Sequence, residues 1–522
     1  MNQLRQHRWL LLILLLAFGL RLVNLNGRSL WYDEALAILF AEKSLTAMLR
    51  GTITITNGIA ANVHPLLYFW LLHGWMQLVG QAPTAVRLLS VLFGTATVFV
   101  DYLLAEEIRD WGLEIGQNLQ SPISNPQSLP LFTALLIALS PFHIYYSQET
   151  RMYGLLGLLT LLATLFWLRG WRTNQRRDWT LVGVCGALVL YTHTLGALYL
   201  AGLGMWAAWQ WVRQGWQRWQ GVVGSYALML LLYAPWLTIL PSQLGRVQQS
   251  YWVVRPGLTE LLQTLLAFHV AYDNEALPGW LLPLALFLSL LVPIFLLMAL
   301  RTSAALRSPA LQLLGFTTLL PPTLGFLVSQ FQPIYTLRAF LPSALTYWVL
   351  LGLVFGASKM PKGMKWVLGG LTAVILTASL LNHYTYASFP RPPFAAAANW
   401  LTDHTEPDAV IIHSNKLTFF PTYLYNRTIP QQFIADEPGS PSDTLAYATQ
   451  AAMGLFATVD LETAVSNHPR IYFILLDRAQ AEAVAAGQPT HPHLAWLAAR
   501  YQLQDTIHFN DLAIYEFRRS AD

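Results

Sequence analysis

The sequence predicts a polytopic α-helical membrane protein with a small C-terminal α/β domain outside the cytoplasm. Three observations predict it. Hydrophobic residues fill 55% of the 522 positions and charged residues only 11%, well under the roughly one quarter usual in soluble domains. Apolar runs of about 20 residues, the length that crosses a hydrocarbon core of roughly 30 Å, recur as far as residue 382. From residue 383 charged and turn residues return, and the apolar runs shrink to strand length.

Arg5, His7 and Arg8 precede a leucine-rich run that starts at Trp9, in the outline of a signal peptide. No small-residue cleavage site follows, so the run is expected to stay as a first helix. Spans are then expected at 9–26, 84–106, 131–147, 151–169, 179–194, 195–212, 221–240, 279–300, 310–328, 338–357 and 366–382, about eleven in all. The segment 64–80 is apolar but interrupted by His64, Pro65, His73 and Gln77, which predicts a helix at or dipping into the interface. Residues 27–83 therefore form a first outer loop with interfacial helices, inside a transmembrane domain spanning 1–382. Pro390, Pro392 and Pro393 mark a linker. In the domain 383–522, strands are expected at 409–413, 470–476 and 512–517, and helices at 394–402 and 494–501.

Basic residues set the orientation. With the N-terminus cytoplasmic, inner loops collect Arg109, Arg169, Arg172, Arg176, Arg177, Arg213, Arg218, Arg301, Arg307, Lys359, Lys362 and Lys365. Outer segments keep only Arg28, Lys43, Arg50, Arg151, Arg246, Arg255 and Arg338. The positive-inside rule favours this arrangement in a cell or inner membrane. It places the first loop and the C-terminal domain outside the cytoplasm.

Several function classes are disfavoured. The net charge of +4 is scattered between apolar spans, and no basic run argues for nucleic acid. Cys185 has no partner cysteine, so neither a disulfide framework nor a cysteine metal site is possible. No GxGxxG or GxxxxGKT loop occurs, which argues against a nucleotide as immediate donor or energy source. His, Asp and Glu never recur at a metal-binding spacing, and no cofactor is expected; a divalent cation between Asp33 and Glu149 stays open.

Three outward-facing clusters carry candidate chemistry. Trp31-Tyr32-Asp33-Glu34 puts adjacent carboxylates where the backbone leaves the membrane. Tyr145-Tyr146-Ser147-Gln148-Glu149-Thr150-Arg151-Met152-Tyr153 is a dense polar and aromatic patch between two spans. In Pro333-Ile334-Tyr335-Thr336-Leu337-Arg338, a guanidinium opens an apolar helix, costly unless it is paired or meets an anion. Displacing phosphate from an anomeric carbon requires a base for the acceptor hydroxyl and cations for the departing phosphate. Asp33 suits the base; Arg151, Arg338, Tyr145 and Tyr146 suit the phosphate. Glu34 and Glu149 are the neighbouring acids, and His64, Gln148 and Tyr335 are candidates for a substrate cavity. Plainer readings stand beside these: a helix cap for Asp33 or Glu34, interfacial or ion-paired arginines, an aromatic belt for the tyrosines, and interior packing for His73 and His193.

The order of the Asp33-Glu34 pair, HPLLYFWLLHGW from His64, YSQETRMYGLL from Tyr146 and LRAFLPSAL from Leu337 resembles the polytopic glycosyltransferases of the C-type superfamily. The nearest group is glycosyltransferase family 39, with protein O-mannosyltransferases and lipid A aminoarabinose transferases. The resemblance covers residues 9–382 and implies a polyprenyl-phosphate-linked sugar donor, transfer with inversion, and an outward-facing site. It carries the catalytic acid to Asp33 with Glu34 beside it, a further acid to Glu149, and the first-loop histidine to His64, where His-Pro-Leu replaces the commoner His-Pro-Pro. The implied partners are the donor lipid, surrounding membrane lipid and an acceptor that is lipid, glycan or protein. A transporter or flippase of a lipid-linked glycan is the alternative, although polar residues gather at one face and no matching halves are found. A membrane-anchored binding protein is a third, without ligand-like motifs in its outer domain.

Overall fold

The computed structural model describes residues 3–114, 128–249, 253–271, 279–302, 308–357, 361–385, 391–466 and 468–519. Arg307, Lys359 and Pro390, named above, lie outside the described residues.

Helices occupy every expected span. The chain enters through α1 (Gln3–Leu22), and the first loop folds into α2 (Tyr32–Ala41), α3 (Leu45–Ile53), a ribbon of β1 (Ile55–Thr56) and β2 (Ile59–Ala60), and α4 (Leu67–Val79). Then follow α5 (Pro83–Glu114), α6 (Leu129–Leu139), α7 (Pro141–Ser147), α8 (Tyr153–Thr173), α9 (Arg176–Thr192), α10 (Gly196–Gln214) and α11 (Trp219–Leu237). Two short helices, α12 (Leu240–Gln249) and α13 (Leu258–Val270), precede α14 (Leu281–Thr302), α15 (Pro309–Ser329), α16 (Leu341–Ala357) and α17 (Lys362–Thr385). Among the described residues six helices are long and apolar enough to cross a membrane, or seven if α6 and α7 count as one broken span. α12 and α13 fall between the expected spans because they are short, and α12 is largely polar.

The expected straight helix at 131–147 is instead bent by 61° between α6 and α7. Pro141 is the cause: it lacks the N–H that would continue the ladder, and it forces Ser140 into an extended conformation (φ −63°, ψ 116°). The break leaves carbonyls without helical donors, a heavy cost at membrane depth. Arg21, fully buried at the end of α1, donates to the Ala138 carbonyl at 3.4 Å, to His143 Nδ1 at 2.8 Å and to Ser147 Oγ at 3.3 Å. Gly94 of α5 sits against Ser147; a β-carbon there would lie 2.1 Å from its hydroxyl, so only glycine admits this approach. The bend thereby turns the segment 145–153 back over α5 toward the first loop. At the far end of α5, Glu107 pairs with Arg169 and Arg172 at 3.0 and 2.9 Å, closing α5 on α8.

The C-terminal part opens with α18 (Phe394–His404) and builds a five-stranded sheet. Its strands are β3 (Ala409–His413), β4 (Gln431–Phe433), β5 (Arg470–Leu476), β6 (Tyr501–Phe509) and β7 (Leu512–Arg519), in the order β4-β3-β5-β7-β6. β4, β3 and β5 run parallel, and β7 is antiparallel to both β5 and β6. The helix expected at 494–501 ends earlier, at Ala498, and Tyr501 begins β6. β6 is an edge strand with an exposed, polar face, so its sequence lacks the apolar run that marks β3 and β5. α19 (Lys416–Tyr425) packs on α2, with the Phe420 ring stacked on Tyr32 at 5.9 Å. The Leu30 backbone N–H donates to the Tyr425 hydroxyl at 2.8 Å, and the Thr449 hydroxyl to the Gly51 carbonyl at 2.8 Å. The C-terminal sheet is thus clasped to the first loop.

Candidate active site

Asp33 and Glu34 sit in the first turn of α2, about 100° apart around the helix, so they face different surroundings. Glu34 is fully buried. Arg87, near the start of α5, donates to both its oxygens at 2.8 and 2.7 Å, and the Thr150 backbone N–H donates to Oε1 at 3.0 Å. Burial pushes the Glu34 carboxyl up, but Arg87, Arg391 and these hydrogen bonds outweigh that and hold it below its usual range. Arg87 also donates to the carbonyls of Leu25 and Arg28 at 2.7 and 2.9 Å, so the pair fastens the exit from α1 to the head of α5.

Asp33 keeps 15% of its side chain exposed and meets two guanidiniums. Arg338 donates to its Oδ2 at 2.7 Å, and Arg151 Nε lies 4.0 Å from the same oxygen. Arg151 is buried and also donates to the Asp33 backbone carbonyl at 3.2 Å. Burial pushes the Asp33 carboxyl up, yet Arg151, Arg338 and the hydrogen bond from Arg338 hold it down at about 2. Arg338 comes from a single 3-10 turn, Leu337–Phe340, that starts α16, and its guanidinium lies over the Tyr153 ring at 5.7 Å from the centroid.

Glu149 is buried and paired with Arg391, which donates to its Oε1 at 2.5 Å, also donates to the Tyr145 hydroxyl, and lies 3.6 Å from Glu34. The Arg391 guanidinium stacks over Trp31, 4.9 Å from the ring centroid. Arg391 belongs to the stretch leading into α18, so the C-terminal part contributes directly to this charge cluster.

His64 lies in the loop before α4, its ring centroid 6.1 Å from that of His193, which itself lies 6.0 Å from Tyr153. Burial, then Arg151 and His193, keep the His64 imidazole well below its usual range against the opposing pull of Asp33. It is therefore neutral.

The remaining predicted residues sit farther out. Tyr145 and Tyr146 pack edge to face at 5.0 Å, with Tyr146 stepping on to Tyr153 at 5.0 Å. Gln148 donates to the carbonyls of Arg21 and Val23 at 3.0 and 2.9 Å and accepts from His383 at 2.8 Å, a bracing role. The Tyr335 hydroxyl pairs with Thr264 at 2.6 Å, and its ring packs on Phe340 at 4.7 Å. Neither is brought to Asp33. Among the described residues no group of three His, Cys, Asp or Glu side chains could hold a metal ion.

Sequence reasoning missed Arg87 and Arg391, and it read His193 as interior packing. Arg87 was hidden at the start of an apolar span, Arg391 between linker prolines, and His193 within an apolar run. The one available signal was the cost of an unpaired charge: an arginine at either of the first two positions demanded an acid, and the sequence offers few.

No family model matches the chain, and no curated protein sequence is similar to it. Solved structures are. ArnT from Cupriavidus metallidurans in the apo state aligns over 98% of this chain and 98% of its own, with a TM-score of 0.62 at 14% identity. The same protein bound to undecaprenyl phosphate aligns over 97% and 98%, with a TM-score of 0.60 at 14% identity. Archaeal oligosaccharyltransferase AglB from Archaeoglobus fulgidus, in complex with an inhibitory peptide and a dolichol-phosphate, aligns over 89% of this chain and 69% of its own, at a TM-score of 0.51 and 11% identity. Over 98% of its length this chain therefore shares the fold of these solved structures.

Proposed function

We propose that the protein transfers a sugar from a polyprenyl-phosphate donor to an acceptor hydroxyl on the non-cytoplasmic side of the membrane, with inversion and with Asp33 as the general base. One observation carries the reading: Asp33 is partly exposed and shared between Arg338 and Arg151. A solved structure of the same fold was obtained with undecaprenyl phosphate bound, which supports the class of donor.

The charges fit this reaction. Arg87, Arg151, Arg338 and Arg391 face Asp33, Glu34 and Glu149, which leaves one positive charge beside the base. A sugar phosphodiester supplies the matching negative charge. When it binds, Arg338 turns part of its hydrogen bonding to the phosphate, Asp33 loses hydrogen bonding from its closest partner, and its carboxylate becomes more basic. The acceptor oxygen then forms a bond to the anomeric carbon as its proton passes to Asp33. The bond from that carbon to the phosphate oxygen breaks, and its electron pair stays on the phosphate. The product monoester has gained a negative charge as Asp33 has lost one, and both guanidiniums are now free to hold it. Glu34 and Glu149, locked to their own arginines, serve as anchors. A metal ion is not needed in this scheme.

Purified protein in detergent, given a synthetic prenyl-phosphate sugar and a mixture of hydroxyl acceptors, tests the proposal. Release of prenyl phosphate together with a glycosylated product is expected. Binding of the lipid with no cleavage of the sugar-phosphate bond would favour a flippase, which needs two membrane faces to act.

A further inference from the structure

We propose that the sugar carried by the donor is uncharged, and that His64 and His193 are the side chains that receive its hydroxyl groups. This rests on the reading of the site just given. The anomeric carbon must lie between a phosphate held at Arg338 and Arg151 and an acceptor hydroxyl held at Asp33. The body of the sugar therefore extends over the groups that flank both. From Arg338 the path runs over the Tyr153 ring at 5.7 Å, on to the His193 ring at 6.0 Å from Tyr153, and to the His64 ring 6.1 Å beyond that.

Both imidazoles are fitted to hydroxyls. His193 Nδ1 accepts the Leu195 backbone N–H at 3.1 Å, which fixes a neutral ring with its proton on Nε2 and leaves that N–H as a donor. His64 donates its backbone N–H to Asn62 Oδ1 at 3.1 Å, and among the described residues its ring nitrogens make no hydrogen bond. The Tyr153 hydroxyl, buried next to Arg151, has no hydrogen-bond partner of ordinary geometry among the described residues. These groups donate and accept hydrogen bonds without net charge, as sugar hydroxyls require.

The carboxylates give the second, independent observation. Glu34 is paired with Arg87 at 2.7 Å and Glu149 with Arg391 at 2.5 Å, and Asp33, when Arg338 turns to the phosphate, receives the acceptor hydroxyl, so an ammonium group on the sugar finds no acid left to answer it. It would also enter the field of four guanidiniums. A sugar carboxylate would instead compete with the phosphate for Arg151 and Arg338 and pull the donor out of register.

The test uses one prenyl phosphate loaded with a neutral hexose, a neutral pentose, a 4-amino sugar or a uronic acid, offered to the full-length protein. Neutral donors are expected to be cleaved with a kcat/KM at least about 100-fold above that of either charged donor. His193→Ala and His64→Asn are expected to raise KM for the neutral donor roughly tenfold, with the affinity for sugar-free prenyl phosphate unchanged. Preference for the amino sugar or the uronic acid, or a loss of sugar-free prenyl phosphate affinity equal to the loss for the loaded donor, would overturn the inference. Failure of the unaltered protein to bind sugar-free prenyl phosphate would overturn the donor class itself and is read separately.

Discussion

Asp33 and Glu34 are adjacent acids with opposite environments, and one step around a helix separates them. Glu34 turns inward to Arg87 and is fully buried, whereas Asp33 stays partly open beside Arg338. The pH behaviour follows. The Asp33 carboxyl sits at about 2, below its ordinary 3.8, so its ion pair contributes stability at any pH above the ordinary value and loses it as pH falls through about 2. Arg338→Ala removes a cation while burial remains, so the carboxyl rises and the acid limb of kcat/KM moves to higher pH. The same variant should weaken prenyl phosphate binding about 10- to 100-fold, the worth of a charged hydrogen bond of roughly 1.5–3 kcal/mol. An unmoved acid limb with unchanged lipid affinity would reduce Arg338 to an interfacial anchor. Asp33 and Arg338 were legible in the sequence because a charge at a membrane face calls for a reason. That they meet was not, since they are 305 positions apart and no local spacing encodes the contact.

At the scale of elements, the α6–α7 bend and the C-terminal clasp converge on Glu149. The bend follows from Ser140-Pro141, a dipeptide visible in the sequence, but the apolar run on both sides reads as one span because hydropathy does not register direction. The clasp brings Arg391 onto Glu149 from 242 residues away. Removing one partner of a buried pair strands the other, so Arg391→Ala should destabilise the protein by about 3–5 kcal/mol. Adding Glu149→Gln should recover most of that loss, as read by thermal unfolding in detergent. Additive losses in the double variant would show that the two side chains do not act as a pair. Among the strands, β3 and β5 were legible because buried parallel strands are continuous apolar runs. The exposed β6 offers no such run.

On the scale of the whole molecule, the apolar composition predicts a helical membrane body, and the position of basic residues is the sequence's argument for its orientation. What composition does not convey is how the body is closed: the first loop, the 145–153 segment, the turn before α16 and the stretch before α18 meet at one patch of four arginines and three acids. That convergence makes the C-terminal part a structural member of the site. In the proposed reaction Asp33 takes the acceptor proton at this patch. Asp33→Asn tests it most directly, by measuring prenyl phosphate binding and sugar transfer on the same purified sample. The variant is expected to bind the lipid still while transfer falls by about 10²- to 10⁴-fold; turnover within a few fold of the unaltered protein would contradict a role for Asp33 as the base.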